Sequence, residues 1–507
     1  MTDSTSPPRR SRAVLEDGVP YEKSWLALAV IALTVLLVIL DATVVNIALP
    51  SIGADLGGRA SGLQWTINGY TLTLAAFILL GGSLGDRFGR RRIFMIGVVW
   101  FSLASLLCGV APNIATLVTA RGLQGVGGAL LTPGALAILQ SSFVPQDRMK
   151  AIGAWSGLGG IAGAVGPFLG GWLVQAGNWR LVFLINLPLA VLVLAVTIRH
   201  VPESVDPSAE ARIDVAGAVL AVLGLAGLTY GFTSWPEYGL SDVRVLTALA
   251  IGCLGLAGFI EVERRTTHPM LPLDLFESRV FDAANVVTFA MYAALGGVFF
   301  LVVINLQVVS GFSPLQAGTA LLPVTVLMLL LSARAGGLAT RIGPRTPMTV
   351  GPLVCALGLV LLSRIGADAA YFRDVLPAVI VLGLGLSLTV APLTSTALAA
   401  ADDRHAGVAS GVNNAVARTA GLLAVAVLPL ASGLGTSLTD PVALAPAYRT
   451  SMLICACLLV LAGVLSWLAI PARESERPAG PVRRYCAISG PPLQPTKVSG
   501  AEPGRSR

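Results

Sequence analysis

The sequence predicts an all-α integral membrane protein with about fourteen transmembrane helices, arranged as two bundles of six with two inserted central helices. Composition, the recurrence of apolar runs and an internal repeat all predict this fold class. Of the 507 residues, 55% are hydrophobic and 12% are charged, whereas soluble domains carry about 25% charged residues. Apolar runs recur at roughly the twenty-residue length that a helix needs to cross about 30 Å of hydrocarbon.

The predicted spans form three groups. The first six lie near residues 24–45, 62–83, 93–111, 114–137, 151–175 and 179–198. Two more lie near residues 213–233 and 243–262. The last six lie near residues 283–309, 315–332, 347–363, 374–398, 412–434 and 449–470.

These groups divide the chain into five segments. They are an N-terminal tail (1–23), an N-terminal bundle (24–198), a linker with the two inserted helices (199–262), a C-terminal bundle (263–470) and a C-terminal tail (471–507). Both tails are rich in Pro, Ser, Gly and Arg and lack apolar periodicity, which is typical of disorder. We therefore expect two disordered cytoplasmic tails.

Basic residues predict the orientation, because loops rich in Lys and Arg stay on the cytoplasmic side of a membrane. With both termini in the cytoplasm, cytoplasmic segments hold most of the 34 Lys and Arg residues. The first span lacks a small-residue cleavage site and is expected to be an uncleaved signal anchor. The net charge of +7 indicates contact with anionic membrane lipid rather than nucleic acid, since no basic stripe with interleaved aromatics is present.

The sequence lacks the marks of an enzyme or a metal protein. The six cysteines and three histidines show no ligand spacing. No Gly-rich loop ends in Lys-Ser or Lys-Thr, and the dinucleotide-loop pattern at residues 157–162 lies inside a span instead of between a strand and a helix. We expect no enzymatic activity, no metal and no cofactor.

An internal repeat predicts two related halves. The pattern Gly-x-Leu-x-Asp-Arg-x-Gly-Arg-Arg at residues 82–91 is echoed at residues 336–345, where Thr340 replaces the acid. Each copy lies in a predicted cytoplasmic loop two spans into its group of six. Parallel halves with a substrate site between them near the bilayer midplane are the layout of alternating-access transporters.

The first copy of this pattern resembles the signature loop of the major facilitator superfamily. Residues 40–50, 121–129 and 179–188 resemble its fourteen-span drug:proton antiporter branch, and the resemblance covers roughly residues 24–470. It implies proton-coupled efflux of an amphiphilic drug or secondary metabolite across a bacterial cytoplasmic membrane, driven by the proton-motive force. One chain holds both halves, so we expect a functional monomer. The alternative is an uptake symporter or facilitator of a small solute on the same fold.

A fifth-span element resembles the antiporter motif that separates exporters of this superfamily from importers. Its residues are Gly153, Gly166, Pro167, Gly170 and Gly171. Ala162 stands where the usual pattern has a glycine, which close helix approach and a bend at the proline should tolerate. The alternative is generic packing of small residues between helices.

Two charged residues inside predicted spans carry the coupling hypothesis. A charge near the bilayer centre costs about 2.5 to 3.5 kcal/mol, so we expect Asp41 and Arg121 to have a function. Asp41 would alternate between protonated and ionised forms, and the resemblance implies that Arg121 takes part in proton transfer. The structural alternatives are a carboxylate hydrogen-bonded to a neighbouring helix and a snorkelling or buried arginine.

Polar neighbours complete the predicted site. Thr43, Asn46 and Gln124 are assigned to the substrate cavity, although Thr43 and Asn46 also suit backbone hydrogen bonding at the bend before Pro50. A cytoplasmic gate, formed by an ion pair and a helix N-terminus contact, is predicted at Gly82, Asp86, Arg87, Gly89 and Arg90; the arginines alone also fit a topological role. Arg418, with no acidic residue deep in spans nine to fourteen, favours neutral, zwitterionic or anionic substrates at least as much as cations.

Overall fold

The structure is a computed structural model of the chain. It describes residues 21–57, 59–142, 165–201, 203, 214–266, 271, 273–400, 406–434 and 438–472. Across these ranges the chain is helical and contains no β-strand. The two predicted tails, apart from the residues next to the bundles, and Gly153 and Ala162 lie outside the described residues.

Seven helices are described in the first half of the chain. They are α1 (Tyr21–Leu56), α2 (Ala60–Phe88), α3 (Arg90–Gly109), α4 (Ile114–Ser142), α5 (165–176), α6 (Leu181–Leu184) and α7 (Asn186–His200). Two central helices follow, α8 (Val215–Tyr238) and α9 (Val243–Arg265). Asp214 and Asp242 begin these two helices by accepting hydrogen bonds from backbone N–H groups of the first turn.

The second half begins with a short 3-10 helix, Leu273–Glu277. Its α-helices are α10 (Arg279–Val308), α11 (Pro314–Ala320), α12 (Leu322–Ile342), α13 (Arg345–Leu362), α14 (Leu376–Ala399), α15 (Ala406–Ala431) and α16 (Pro441–Ala469), with a π-helical turn at Tyr371–Val375 before α14. Among the described residues, eleven helical segments are long and apolar enough to cross a membrane. The all-α membrane fold is confirmed, and the count of fourteen spans stays a prediction.

The predicted span at 315–332 consists of two helices, α11 and α12. Ser313 and Gln316 form a reciprocal capping box that begins α11. Pro323 lies in the first turn of α12, where it has no N–H to donate to the preceding turn, so the hydrogen-bond ladder is interrupted at Leu321. The chain continues as helix to Ile342, nearly three turns beyond the predicted end at residue 332.

Helices of each half pack mainly on one another. In the first half α4 packs on α2 and α3, and α7 on α1 and α3; in the second, α13 packs on α14 and α16, and α10 on α15 and α16. The central helix α8 contacts one helix from each half, α2 and α15. Leu225 of α8 meets Leu72 and Leu422 there.

The buried apolar residues show where the halves are joined. One large cluster contains residues of both halves, and its first-half members lie near the α1–α2 and α3–α4 connections. At the opposite end, the described residues form one cluster within the first half and a separate one within the second. The halves therefore share a core at the end with the α1–α2 and α3–α4 connections, and the first half has a core of its own at the other end, whereas the shared cluster continues through the second half to Met348 and Ile470.

The two copies of the internal repeat have matching structures. Gly89 connects α2 to α3 with φ +107°, and Gly343 connects α12 to α13 with φ +86°. Arg91 then donates to the carbonyl oxygen of Ile198 at 2.9 Å, and Arg345 donates to that of Trp467 at 2.7 Å. Each loop is thus fastened to the last helix of its own half, as expected for duplicated halves.

Candidate transport site

A buried ion pair lies inside the first half. A guanidinium nitrogen of Arg121 on α4 lies 2.6 Å from a carboxylate oxygen of Asp41 on α1. Asp41 is 0% exposed and Arg121 is 1% exposed. The structure therefore brings together the two charged residues that the sequence singled out, although they are 80 positions apart.

Polar side chains from α4 and from two further helices, α3 and α7, surround the carboxylate. Gln124 and Asn186 donate to its second oxygen at 2.8 and 3.0 Å. Both amides also donate to the hydroxyl of Ser105, at 3.2 and 2.9 Å. The Asp41 carboxylate thus acts as an acceptor only, because every side chain that bonds to it in the described network is a donor.

Arg121 is held independently of Asp41. Its Nε donates to the carbonyl oxygen of Thr66 at 2.9 Å, and Nη1 donates to the side-chain oxygen of Gln124 at 2.7 Å. The guanidinium carbon also lies 4.2 Å from the centroid of the Tyr70 ring, a cation–π distance. Arg121 is a buried hydrogen-bonding arginine here and does not snorkel.

Close helix packing positions this network. A Cβ on Gly125 would lie 2.3 Å from the carbonyl oxygen of Tyr70 on α2, which is possible for no residue but glycine. Gly125 thereby lets α4 approach α2 until Arg121 reaches the Thr66 carbonyl, and Gly127 of the same motif faces Phe101 of α3.

Two cavities lined by described residues lie between the halves. The first, of about 580 Å³, is lined by residues of α1, α2, α10, α14 and α15, and the second, of about 620 Å³, by residues of α1, α5, α10, α11, α12 and α14. Asn46 and Phe299 line both. A cavity of this size between two halves suits a small organic molecule.

The three residues predicted to line the substrate cavity occupy different places in the structure. Asn46 lines both cavities and Thr43 lines the second. Gln124 is 0% exposed and is not among the described lining residues of either cavity, because its amide is held inside the ion-pair network. Ala42 lines the first cavity, which places Asp41 directly behind the cavity wall.

At the predicted gate, the carboxylate of Glu203 contacts the N-terminus of α3. Its two oxygens accept the backbone N–H groups of Arg91 and Arg92 at 3.0 and 3.2 Å. Arg87 lies over the Phe88 ring at 5.1 Å, and Gly82 packs on Pro133 of α4. Arg90 also has an interaction partner. The side chain of Asp86 lies outside the described residues, so its gate role stays a prediction.

Gly89→Ala is expected to destabilise this loop. The φ of +107° is strained for any residue with a side chain, and a Cβ would lie 2.7 Å from a Glu203 oxygen. We expect a loss of about 1 to 3 kcal/mol, measured as a lower thermal unfolding midpoint of the purified protein. Gly85→Ala, where the Cβ would meet nothing closer than 3.9 Å, is the control; equal midpoints for the two variants would contradict the prediction.

The described part of the antiporter motif lies where α5 meets other helices. A Cβ on Gly166 would lie 2.4 Å from Thr43 Oγ1, and one on Gly170 would lie 2.6 Å from a methyl group of Val44. On its other side, a Cβ on Gly171 would lie 2.7 Å from the Cα of Leu315. The motif therefore packs α5 against α1 and also against α11 of the second half.

The motif at residues 179–188 fastens the end of α1. Trp179 donates to a carboxylate oxygen of Asp55 at 2.9 Å, and Arg180 donates to the same oxygen at 2.7 Å. These hydrogen bonds from Trp179 and Arg180 hold the pKa of Asp55, which lies beyond the predicted span, below its ordinary value. At the other end of the motif, Asn186 joins the Asp41 network.

Comparison with known proteins decides the family. A model of the Major Facilitator Superfamily matches residues 31–425. The chain belongs to the major facilitator superfamily. It is therefore a multi-pass membrane transporter and not an enzyme, and the resemblance read from its motifs is confirmed.

Curated relatives in this superfamily are drug-resistance and export proteins. The puromycin resistance protein of Streptomyces alboniger is 37% identical over 90% of this chain and 93% of its own length. The tetracenomycin C resistance and export protein of Streptomyces glaucescens is 38% identical over 80% and 75%. The cephamycin export protein of Amycolatopsis lactamdurans is 34% identical over 88% and 92%. These relatives agree with the predicted drug-exporter branch.

Solved structures share the major facilitator fold. A bacterial homolog of the human lysosomal transporter Spinster matches with a TM-score of 0.63 and 18% identity, over 89% of this chain and 97% of that chain. A POT family transporter in complex with 5-aminolevulinic acid matches with a TM-score of 0.67 and 12% identity, over 87% and 95%. At such identities the likeness shows the fold alone.

Proposed function

We propose that this major facilitator exports small amphiphilic molecules from the cytoplasm in exchange for protons. Three relatives named for resistance to, or export of, puromycin, tetracenomycin C and cephamycin support export. The observation that carries proton exchange is the buried Asp41–Arg121 pair behind the cavity wall. A buried ion pair is costly to maintain. We attribute its presence here to a coupling role in which the Asp41 carboxylate binds and releases a proton.

The proposed orientation places both termini in the cytoplasm of a bacterial cell. In this orientation the shared core of the two halves lies on the outer side, and α5 contacts α11 there. The conformation is then inward-facing, ready to take up substrate from the cytoplasm. Transport requires this outer contact to open while the cytoplasmic ends come together. A single chain with both halves works as a monomer in this scheme.

The proposed coupling step is protonation of Asp41. Donors from Arg121, Gln124 and Asn186 all point at the carboxylate. A proton on Asp41 neutralises the carboxylate and adds an O–H donor that faces the other donors. It therefore weakens the Asp41–Arg121 ion pair and loosens the contacts between α1, α4 and α7. Release of that proton to the cytoplasm restores the network.

The proton-motive force is sufficient for this work without a further cofactor. One proton entering down about 100 mV releases about 2.3 kcal/mol, and each pH unit adds about 1.4 kcal/mol. With half a pH unit, one proton supports a gradient of a neutral solute on the order of a hundredfold.

Proton flux in inverted vesicles tests the proposal. Compounds whose accumulation falls in cells expressing the protein are selected first, with puromycin and tetracenomycin C in the panel. Adding such a compound to vesicles with an imposed acid interior is expected to collapse part of the pH gradient. Failure of every exported compound to move protons would overturn proton exchange, and proton movement in the same direction as the solute would indicate symport.

A further inference from the structure

The cavity walls are almost free of charge. Among the described residues that line the two cavities, Arg418 on α15 is the one with a charged side chain. Polar lining residues around it are amides and hydroxyls, including Asn46 of α1, Asn68 of α2 and Tyr292 of α10. Among the described lining residues, a single cation therefore sets the electrostatic character of the cavity.

Arg418 differs from the other buried arginine in its partners. Arg121 has a carboxylate, a carbonyl oxygen, an amide oxygen and an aromatic face. Within the described part of the chain, no carboxylate pairs with Arg418, and its Nε is buried without a hydrogen-bond partner. A guanidinium is a donor at five N–H positions and accepts nothing, so it requires acceptors that the described protein residues do not supply.

Two asparagines of the first half have the same property. Asn68 is fully buried, and neither its side-chain nitrogen nor its oxygen has a hydrogen-bond partner among the described residues. The side-chain oxygen of Asn46 is also buried without one. Buried polar atoms are paired in most proteins, so these four unpartnered atoms on three side chains of one cavity indicate a ligand with polar groups of its own.

We propose that Arg418 and Asn68 form a subsite for an anionic group on the substrate, such as a carboxylate, sulfonate or phenolate, with the Asn46 oxygen beside it as an acceptor for an N–H or O–H of the same substrate. The inference rests on the proposed export function and adds the substrate class. Arg418 and the Asn68 amide supply donors from the second and first halves, so an anion bridges the two. Charge-assisted bonds from a guanidinium are among the stronger hydrogen bonds in proteins.

The apolar part of such a substrate has a place beside this subsite. The second cavity shares Asn46 and Phe299 with the first, and most of its other described lining residues are apolar, among them Ile47, Leu321 and Met328. An amphiphile with its anionic head at Arg418 therefore extends its hydrocarbon body past Phe299. A cationic head would meet Arg418 with no carboxylate among the described lining residues to offset the repulsion, since Asp41 is already paired with Arg121.

A matched pair of fluorescent probes tests this subsite. Anilinonaphthalene sulfonate carries an anionic group, and phenylnaphthylamine has the same aromatic body without it. Binding of each probe to the purified full chain in lipid nanodiscs is measured by fluorescence, with empty nanodiscs subtracted. No gradient is imposed, so the result is independent of whether the protein exchanges protons.

Arg418→Gln is expected to weaken binding of the sulfonate about ten- to a hundredfold and to leave binding of the neutral amine within about twofold. Arg418→Lys should restore most of the affinity for the sulfonate, and Asn68→Ala should lower it by about two- to tenfold. Arg364→Gln, at an exposed position after α13, is the matched control and should change neither affinity.

Three results would overturn the subsite. One is a wild-type protein that shows no preference for the sulfonate over the amine. The second is an Arg418→Gln variant that binds the sulfonate as well as the wild type does. The third is an equal loss of both probes, which indicates that Arg418 supports the fold instead of the anion.

Discussion

Asp41→Asn is expected to stop proton-driven export while leaving the protein folded. The asparagine keeps an oxygen for the hydrogen bonds from Gln124 and Asn186, which lie at 2.8 and 3.0 Å in the wild type. It cannot carry or release a proton at neutral pH, so the coupling step is removed. The accumulation gradient should fall from on the order of a hundredfold, the limit set by one proton, to none.

The variant should be less stable but still folded. Removing one partner of a buried ion pair costs about 3 to 5 kcal/mol in soluble proteins. Arg121 keeps the carbonyl oxygen of Thr66 and the ring of Tyr70, which places the expected loss at the lower end of that range. A thermal unfolding scan measures it, and substrate binding checks that the cavity is intact.

Asp55→Asn is the matched control for this prediction. It removes a second carboxylate from α1 that also pairs with an arginine, Arg180, but Asp55 lies at the exposed end of the helix. This variant should export as the wild type does. Uphill export by Asp41→Asn at the wild-type level would exclude Asp41 as the coupling acid, and loss of substrate binding would assign it a structural role.

The fold class could be predicted from the sequence because the hydropathy of a span is a local property of the chain. Each span is recognised from its own twenty residues, and the repeat at residues 82–91 and 336–345 is visible as letters. Asp41 and Arg121 were also recognisable, because a charge in an apolar span is rare and costly. Their pairing was not, since it depends on how closely α1 and α4 pack.

Other parts of the site left a weaker signal or none. Ser105 is a neutral polar residue of a kind that is common in spans, and Asn186 belongs to the motif at residues 179–188 without a role that the letters reveal. The roles of both appear only when α3 and α7 are placed beside Asp41. Glu203 lies in a polar segment after α7, and its contact with the N-terminus of α3 requires the two to meet in space. In the sequence, the break between α11 and α12 was indicated by Pro323.

Gly318→Ala is expected to separate the two halves where α5 meets α11. A Cβ on Gly318 would lie 2.4 Å from the carbonyl oxygen of Pro167, which is backbone and cannot turn aside. Overpacking of this kind costs about 1 to 3 kcal/mol, and the cost falls only on the conformation in which the contact is closed. The equilibrium should therefore shift about five- to a hundredfold toward the other conformation.

Paramagnetic labels carried by unnatural amino acids at Gln175 and Val442 measure this shift. The two positions are exposed and lie in different halves, at the ends of helices next to the shared core. Pulsed spin-resonance distances should lengthen in the Gly318→Ala variant, and export should fall. Gly337→Ala in α12, where a Cβ would meet nothing within 4 Å, should leave the distances and export unchanged.

A second variant separates this effect from local damage to α11. In Gly171→Ala the added Cβ is on α5, yet it meets the same contact from the other side, 2.7 Å from the Cα of Leu315. If the closed contact controls the equilibrium, both variants must lengthen the same distance although they alter different helices. An unchanged distance in both would show that the contact is not what holds this conformation. The antiporter motif would then be generic helix packing, since its remaining described glycines, Gly166 and Gly170, contact only α1 of their own half.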